Sequence, residues 1–147
     1  LRDSELIFAE QFAAEIHRLG EIINKPGQAD IESLNNLSSV LSCLLNLGER
    51  CPDTWSETEI EAPEIDRKKI AEVISNRFPK FGFYNSSTPE CVPIDSVIVD
   101  VNDASDDVYD IYCDLNKSLW YFENDEPALF YGRLNSCSAT GVVMRSI

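Results

Sequence analysis

Apolar residues recur along most of this chain at intervals of three and four, the period of helices with one buried face. The pattern is sharpest over 103–123, where Val108, Ile111, Tyr112, Leu115, Leu119 and Phe122 share one stripe. Asp103, Asp106, Asp107, Asp110 and Asp114 fall on the face opposite. Asp103 stands where an N-cap belongs, and Asn124 and Asp125 end the run. Four more helices follow from the same reading. The first opens at Asp3 or Ser4 as cap, carries Phe8, Phe12, Ile16, Leu19 and Ile23, and ends at Asn24, Pro26 and Gly27. The second is capped by Asp30 and carries Leu34, Leu37, Leu41, Leu44 and Leu45, with Gly48 at its C-cap and Pro52 beyond. A short link makes these two antiparallel neighbours.

The third helix is expected over about 66–78, with Ile70, Val73 and Ile74 inward. Its Arg67, Lys68, Lys69 and Arg77 make it the one basic element. The last begins with Pro127 in its first turn and carries Leu129, Phe130, Leu134 and Val142, weakened by Gly132 and Gly141. Two stretches break the period. One is an acidic connector with Glu57, Glu59, Glu61 and Pro63. The other is 79–102, with Pro79, Pro89 and Pro93, where Val97, Ile98, Val99 and Val101 suggest a short strand or a buried extended segment with no evident mate. The expected fold is therefore all-α: one domain spanning 1–147, a bundle of about five helices with an irregular middle. A core shared by all five should bury Ile16, Leu41, Ile111 and Leu115 fully.

Composition changes the picture mainly through charge. A chain of 147 residues suffices for one domain with its own core. Against 12 Lys and Arg it holds 26 Asp and Glu, a net charge of −14. No base lies between Lys80 and Lys117, while Glu90, Asp95, Asp100, Asp103, Asp106, Asp107, Asp110 and Asp114 do. Such a field repels nucleic-acid backbones and anionic membranes and attracts cations or basic protein surfaces. The stretch has no run of about twenty apolar residues that would cross a membrane and no leader-like start. Cys43, Cys51, Cys91, Cys113 and Cys137 are odd in number and form no CxxC pair, so free thiols in the cytoplasm are expected, with no intrachain disulfide. His17 is the lone histidine, and spacing nominates neither a zinc set nor a nucleophilic triad around it. Asn36, Asn85 and Asn116 head glycosylation sequons that carry no weight in a cytosolic protein.

The acidic helix holds the candidate chemistry. Asp106, Asp107 and Asp110 match the DDxxD pattern that holds magnesium diphosphate in isoprenoid synthases. That chemistry needs a second acidic helix across a deep cavity, and the chain offers no second DDxxD. Solvated carboxylates are affordable here. Like-charge pairs at i,i+4 cost about 0.2–0.5 kcal/mol each, whereas each large apolar residue of the stripe gains roughly 1.5–3 kcal/mol on burial. Tyr109, Cys113, Asn116 and Trp120 form a second line on the flank, the usual place for a packing helix and otherwise a partner-binding edge. Asp100 opens a calcium-loop pattern that fails at Ser105 and Ile111, where Gly and Glu are needed.

The segments FGFYN (81–85), DDVYDIYCDL (106–115) and LWYF (119–122) resemble the bacterial family known as domain of unknown function 5063. The likeness is concentrated in Asp106, Asp107, Asp110, Ile111, Tyr112, Asp114 and Leu115. It implies an intracellular bacterial helical domain and brings no activity with it. The family's last helix carries His and Trp around a Trp-Gly step. Here that stretch keeps Arg133 and Gly141 but has neither His nor Trp.

Two functions follow from the acidic face. The first is a small cytoplasmic protein-interaction domain that binds a basic protein partner through Asp106, Asp107, Asp110 and Asp114, flanked by Tyr109 and Trp120. It needs no cofactor and is not an enzyme. The alternative is a metal-dependent phosphohydrolase with Asp106, Asp107 and Asp110 as cation ligands. An enzyme needs those carboxylates in a concave pocket with others facing them; a binding module presents them convexly.

Overall fold

The computed structural model describes residues 3–52, 60–87, 99–124 and 126–139, with no side-chain detail at 86, 87, 99, 100 and 135–139. In chain order the elements are α1 (Asp3–Asn24), α2 (Ile31–Glu49), α3 (Arg67–Arg77), β1 (Phe83–Ser87), β2 (Val99–Asp103), α4 (Ala104–Glu123) and α5 (Pro127–Ala139). The fold is all-α, with one small hairpin. Glu57 and Glu59 of the connector lie outside the described residues, as do Pro89, Glu90, Cys91, Pro93, Asp95, Val97, Ile98, Asp125, Gly141 and Val142.

Capping chemistry sets the helix starts. Asp30 accepts a hydrogen bond from the Ser33 amide at 2.8 Å, and Asp66 accepts one from the Lys69 amide at 3.1 Å. Hydrogen bonds from Ser33, side chain first and then backbone, hold the Asp30 carboxyl below its ordinary range. Asp3 and Ser4 are already inside α1. Gly48 lies inside α2 rather than at its C-cap. Arg50 takes that place, its amide bonding Leu47 O at 3.0 Å, and its φ of −105° requires no glycine. The tightened turn and Pro52 stop the helix.

The core draws on every helix: Phe12, Ile16 and Leu19 from α1, Val40 and Leu44 from α2, Ile74 from α3, Leu115 from α4, and Phe130 and Tyr131 from α5. α4 packs against α1, α3 and α5. Ile16, Ile111 and Leu115 are buried as expected, but Leu41 is only half-buried. The buried line of α2 is Ser33, Leu37, Val40, Leu44 and Leu47. Leu34, Leu41 and Leu45, expected in the core, line an open groove instead. Its volume is about 530 Å³, and Phe81 and Val108 stand on the other wall. Both lines obey helical spacing on adjacent faces, so periodicity could not choose between them; packing against α1 and α5 does.

Val99 and Val101 do have a mate. β2 pairs antiparallel with β1, Phe83 opposite Asp103 and Asn85 opposite Val101. β1 carries a single Phe and a single Tyr among polar residues, which is too weak an alternation to read as a strand.

Arg77 is the least expected member of the interior. It sits at the end of α3, only 3% exposed. Its guanidinium donates to Ile22 O at 3.1 Å, Gly27 O at 2.9 Å and Ser33 Oγ at 2.8 Å. The α1–α2 turn, with Gly27 at φ 84°, is thereby tied to α3. Ala29 N bonding Arg77 O at 2.8 Å adds a backbone link. The carbonyls at the end of a helix are the groups that lack intrahelical partners and attract a cation.

Candidate functional site

α4 grows directly out of β2, whose last residue is the helix cap. Asp103 Oδ1 accepts from the Ser105 amide at 2.9 Å, and the Ala104 amide bonds Gly82 O at 3.2 Å. This fixes the direction in which the acidic residues leave the body. The five aspartates then divide by neighbour. Asp103 is occupied as the cap. Tyr84, from β1, donates its hydroxyl to Asp107 Oδ2 at 2.5 Å. Burial first, then the bond to Asp107 and its charge, push the Tyr84 phenol up to about 12. Asp114 lies 3.8 Å from the Arg133 guanidinium of α5.

Asp106 and Asp110 remain exposed on the outer face. The Asp110 carboxyl sits above its ordinary range, through partial burial first and then the charges of Asp114 and Asp106. Arg67, at the start of α3, pulls it the other way. The basic helix anticipated from sequence thus supplies one internal counter-charge, and α5 supplies a second.

The flank line is covered in part by the chain itself. Cys113 is buried and Tyr109 half-buried, both within the influence of Arg67. Burial pushes both groups up, and for Cys113 this leaves a protonated, unreactive thiol. Asn116 and Tyr112 stand beside Asp66, Ile70 and Val73. Trp120 is half-buried and meets Tyr121 edge-on, ring centroids 5.4 Å apart. The Tyr121 hydroxyl donates to Ile60 O at 3.0 Å and accepts from the Ala62 amide at 3.1 Å, laying the end of the acidic connector along α4. Of the sequence candidates, Asp106 and Asp110 stay together on the surface. Asp107 and Asp114 are turned to partners on β1 and α5, and Tyr109 and Trp120 are partly covered.

His17 pairs with Glu123 at 3.2 Å, joining α1 to the end of α4 on the surface. Cys43, Cys51 and Cys113 are free thiols; Cys91 lies outside the described residues, and the Cys137 side chain is not described. Among the described residues no three His, Cys, Asp or Glu side chains converge to hold a metal ion. Adjacent turns of one convex helix point carboxylates outward, and among the described residues no second acidic element faces them. No helix is long and apolar enough to cross a membrane, among the described residues.

Sequence reasoning missed Tyr84 and Arg133 as neighbours of the aspartates. Tyr84 lies in the FGFYN segment that carries the family resemblance, which was the available signal. No family model, no curated protein and no solved structure matches this chain.

Proposed function

We propose that this chain is a cytoplasmic protein-interaction domain, and that the exposed Asp106–Asp110 face of α4 binds a basic protein partner. One observation carries the reading. Asp106 and Asp110 stand exposed one turn apart on α4, and Asp110 is held above its ordinary range by partial burial first and then by the charges of Asp114 and Asp106. A like-charge repulsion therefore acts on this face that an external cationic surface relieves. The −14 charge adds long-range steering of a basic partner. Free thiols at Cys43, Cys51 and Cys113 suit a reducing compartment, and the family resemblance, itself part of this proposal, fits a bacterial helical domain of that kind.

The test is an NMR titration of the labelled chain with a short oligolysine peptide. Amide shifts should cluster on α4 around Asp106 and Asp110, and affinity should fall steeply with NaCl. The double variant Asp106→Asn/Asp110→Asn should weaken binding about tenfold, or about 1.4 kcal/mol. Shifts that avoid α4 sink the proposal. So does a rise in melting temperature with Mg²⁺ or Mn²⁺ where NaCl of equal ionic strength does nothing, which would favour the metal-dependent phosphohydrolase.

A further inference from the structure

α2 carries two apolar seams and needs only one of them for the core. Beside the buried line runs a second: Ile31, Leu34, Ser38, Leu41 and Leu45, at spacings of three, four, three and four. This is the a/d rhythm of a helix that packs against another helix. Ile31 is 78% exposed and Leu34 38% exposed, and Leu34, Leu41 and Leu45 line one wall of the groove that Phe81 and Val108 complete. The helix also has no charged residue over 33–48, the longest charge-free run in the chain.

We propose that this face is a homodimer interface, in which α2 packs antiparallel against α2 of a second copy about a two-fold axis near Ser38. Two features select a second copy over another occupant. The first is charge. A two-fold contact sets each face against itself, so α1 would oppose Glu10 and Glu21 to their own kind, α3 its Lys68 and Lys69, and α4 its Asp106 and Asp110. Among α1 to α4, α2 is the helix whose outward middle carries no charge to set against its copy, its Glu32 and Glu49 lying at the two ends. The second is self-complementarity. About Ser38 the seam is nearly palindromic, with apolar residues at −7, −4, +3 and +7. An antiparallel copy therefore brings Leu34 against Leu41 and Ile31 against Leu45, while the small Ser38 at the centre lets the backbones approach. Each copy's groove, about 530 Å³, receives the apolar side chains of the other.

Sedimentation equilibrium of the full chain tests this over micromolar to millimolar concentrations. A monomer–dimer equilibrium is expected that tightens with added NaCl, because salt screens the repulsion between two chains of −14 each. That dependence is opposite in sign to the binding of a basic partner, so the two proposals fail separately. Leu34→Glu with Leu41→Glu should weaken self-association by more than about tenfold while keeping the helical circular dichroism of the wild type. Should that pair unfold the chain, Ser38→Cys gives an independent reading. Mild oxidation should cross-link it rapidly across the axis, whereas the wild type, with its exposed Cys43 off the seam, should stay uncross-linked. A chain that remains monomeric throughout, or a dimer that both leucine substitutions leave intact, overturns the proposal. So does failure of Ser38→Cys to cross-link faster than wild type.

Discussion

Arg77 makes three hydrogen bonds: to the Ile22 carbonyl in the last turn of α1, to the Gly27 carbonyl of the α1–α2 turn and to the hydroxyl of Ser33. The guanidinium reaches all three because its donors are spread over a rigid plane. A lysine ammonium presents its donors from one atom and cannot span Ile22 O, Gly27 O and Ser33 Oγ together. Arg77→Lys should therefore leave at least one buried acceptor unpaired, at about 1–3 kcal/mol. The loss should appear in urea melts as a lower midpoint with an unchanged slope, and a change below about 0.5 kcal/mol would show that water replaces these bonds. The sequence offered Arg77 only as one of four bases on a short helix. Nothing local separates it from Lys68 or Lys69, because its role depends on a turn 50 residues earlier in the chain.

At the scale of elements, α2 and α4 show how far a 3.6-residue period goes. In α4 the apolar arc is narrow and the face opposite is dominated by Asp103, Asp106, Asp110 and Asp114, with Lys117 in the same line, so the sequence states which side is buried. Val108, Ile111, Leu115 and Leu119 are all buried. In α2 the outward positions of the middle are Ser, Asn, Cys and Leu, and charge marks only the two ends, at Glu32 and Glu49. The two helices should respond differently to the same truncation. Leu115→Ala, at a site 1% exposed, should cost about 2–5 kcal/mol through lost transfer energy and a residual cavity. Leu41→Ala, on the groove wall, should cost less than about 1.5 kcal/mol in dilute monomer, since solvent already reaches its side chain. Equal losses at the two positions would return Leu41 to the core.

At the scale of the whole molecule, two tyrosines fasten peripheral elements to the bundle. Tyr84 ties the hairpin to α4, and Tyr131 ties α5 to α1 by donating to the Glu5 carbonyl. Both phenols are pushed from 10 up to about 12, chiefly by burial. A folded-state pKa above the unfolded one means that the folded chain holds the proton more tightly. The stabilisation from both is then complete below pH 10 and is lost as pH rises toward about 12. Urea midpoints should fall over that window, together with the rise of tyrosinate absorbance. Stability that stays flat until above pH 12 would show that the phenols are not protected. On the acid side the signs oppose. Asp110, held high, favours the folded state below its ordinary range and loses that on ionising, whereas Asp30, held low, stabilises once ionised and loses it on acidification.

Helix number, helix type, the capping aspartates Asp30 and Asp103 and the burial of the α4 stripe were written in local pattern, because a helix start and an amphipathic face are decided within a few residues. The exposure of Asp106 and Asp110 followed from the same pattern. Only the tertiary structure decided which seam of α2 turned inward, since two adjacent faces were equally apolar and the choice fell to α1 and α5. It alone turned Asp107 toward Tyr84 and Asp114 toward Arg133, drew Arg77 inside, and found β2 its partner. Each of those outcomes is a contact between residues far apart in sequence, and a period of three or four carries no information about what lies across the core.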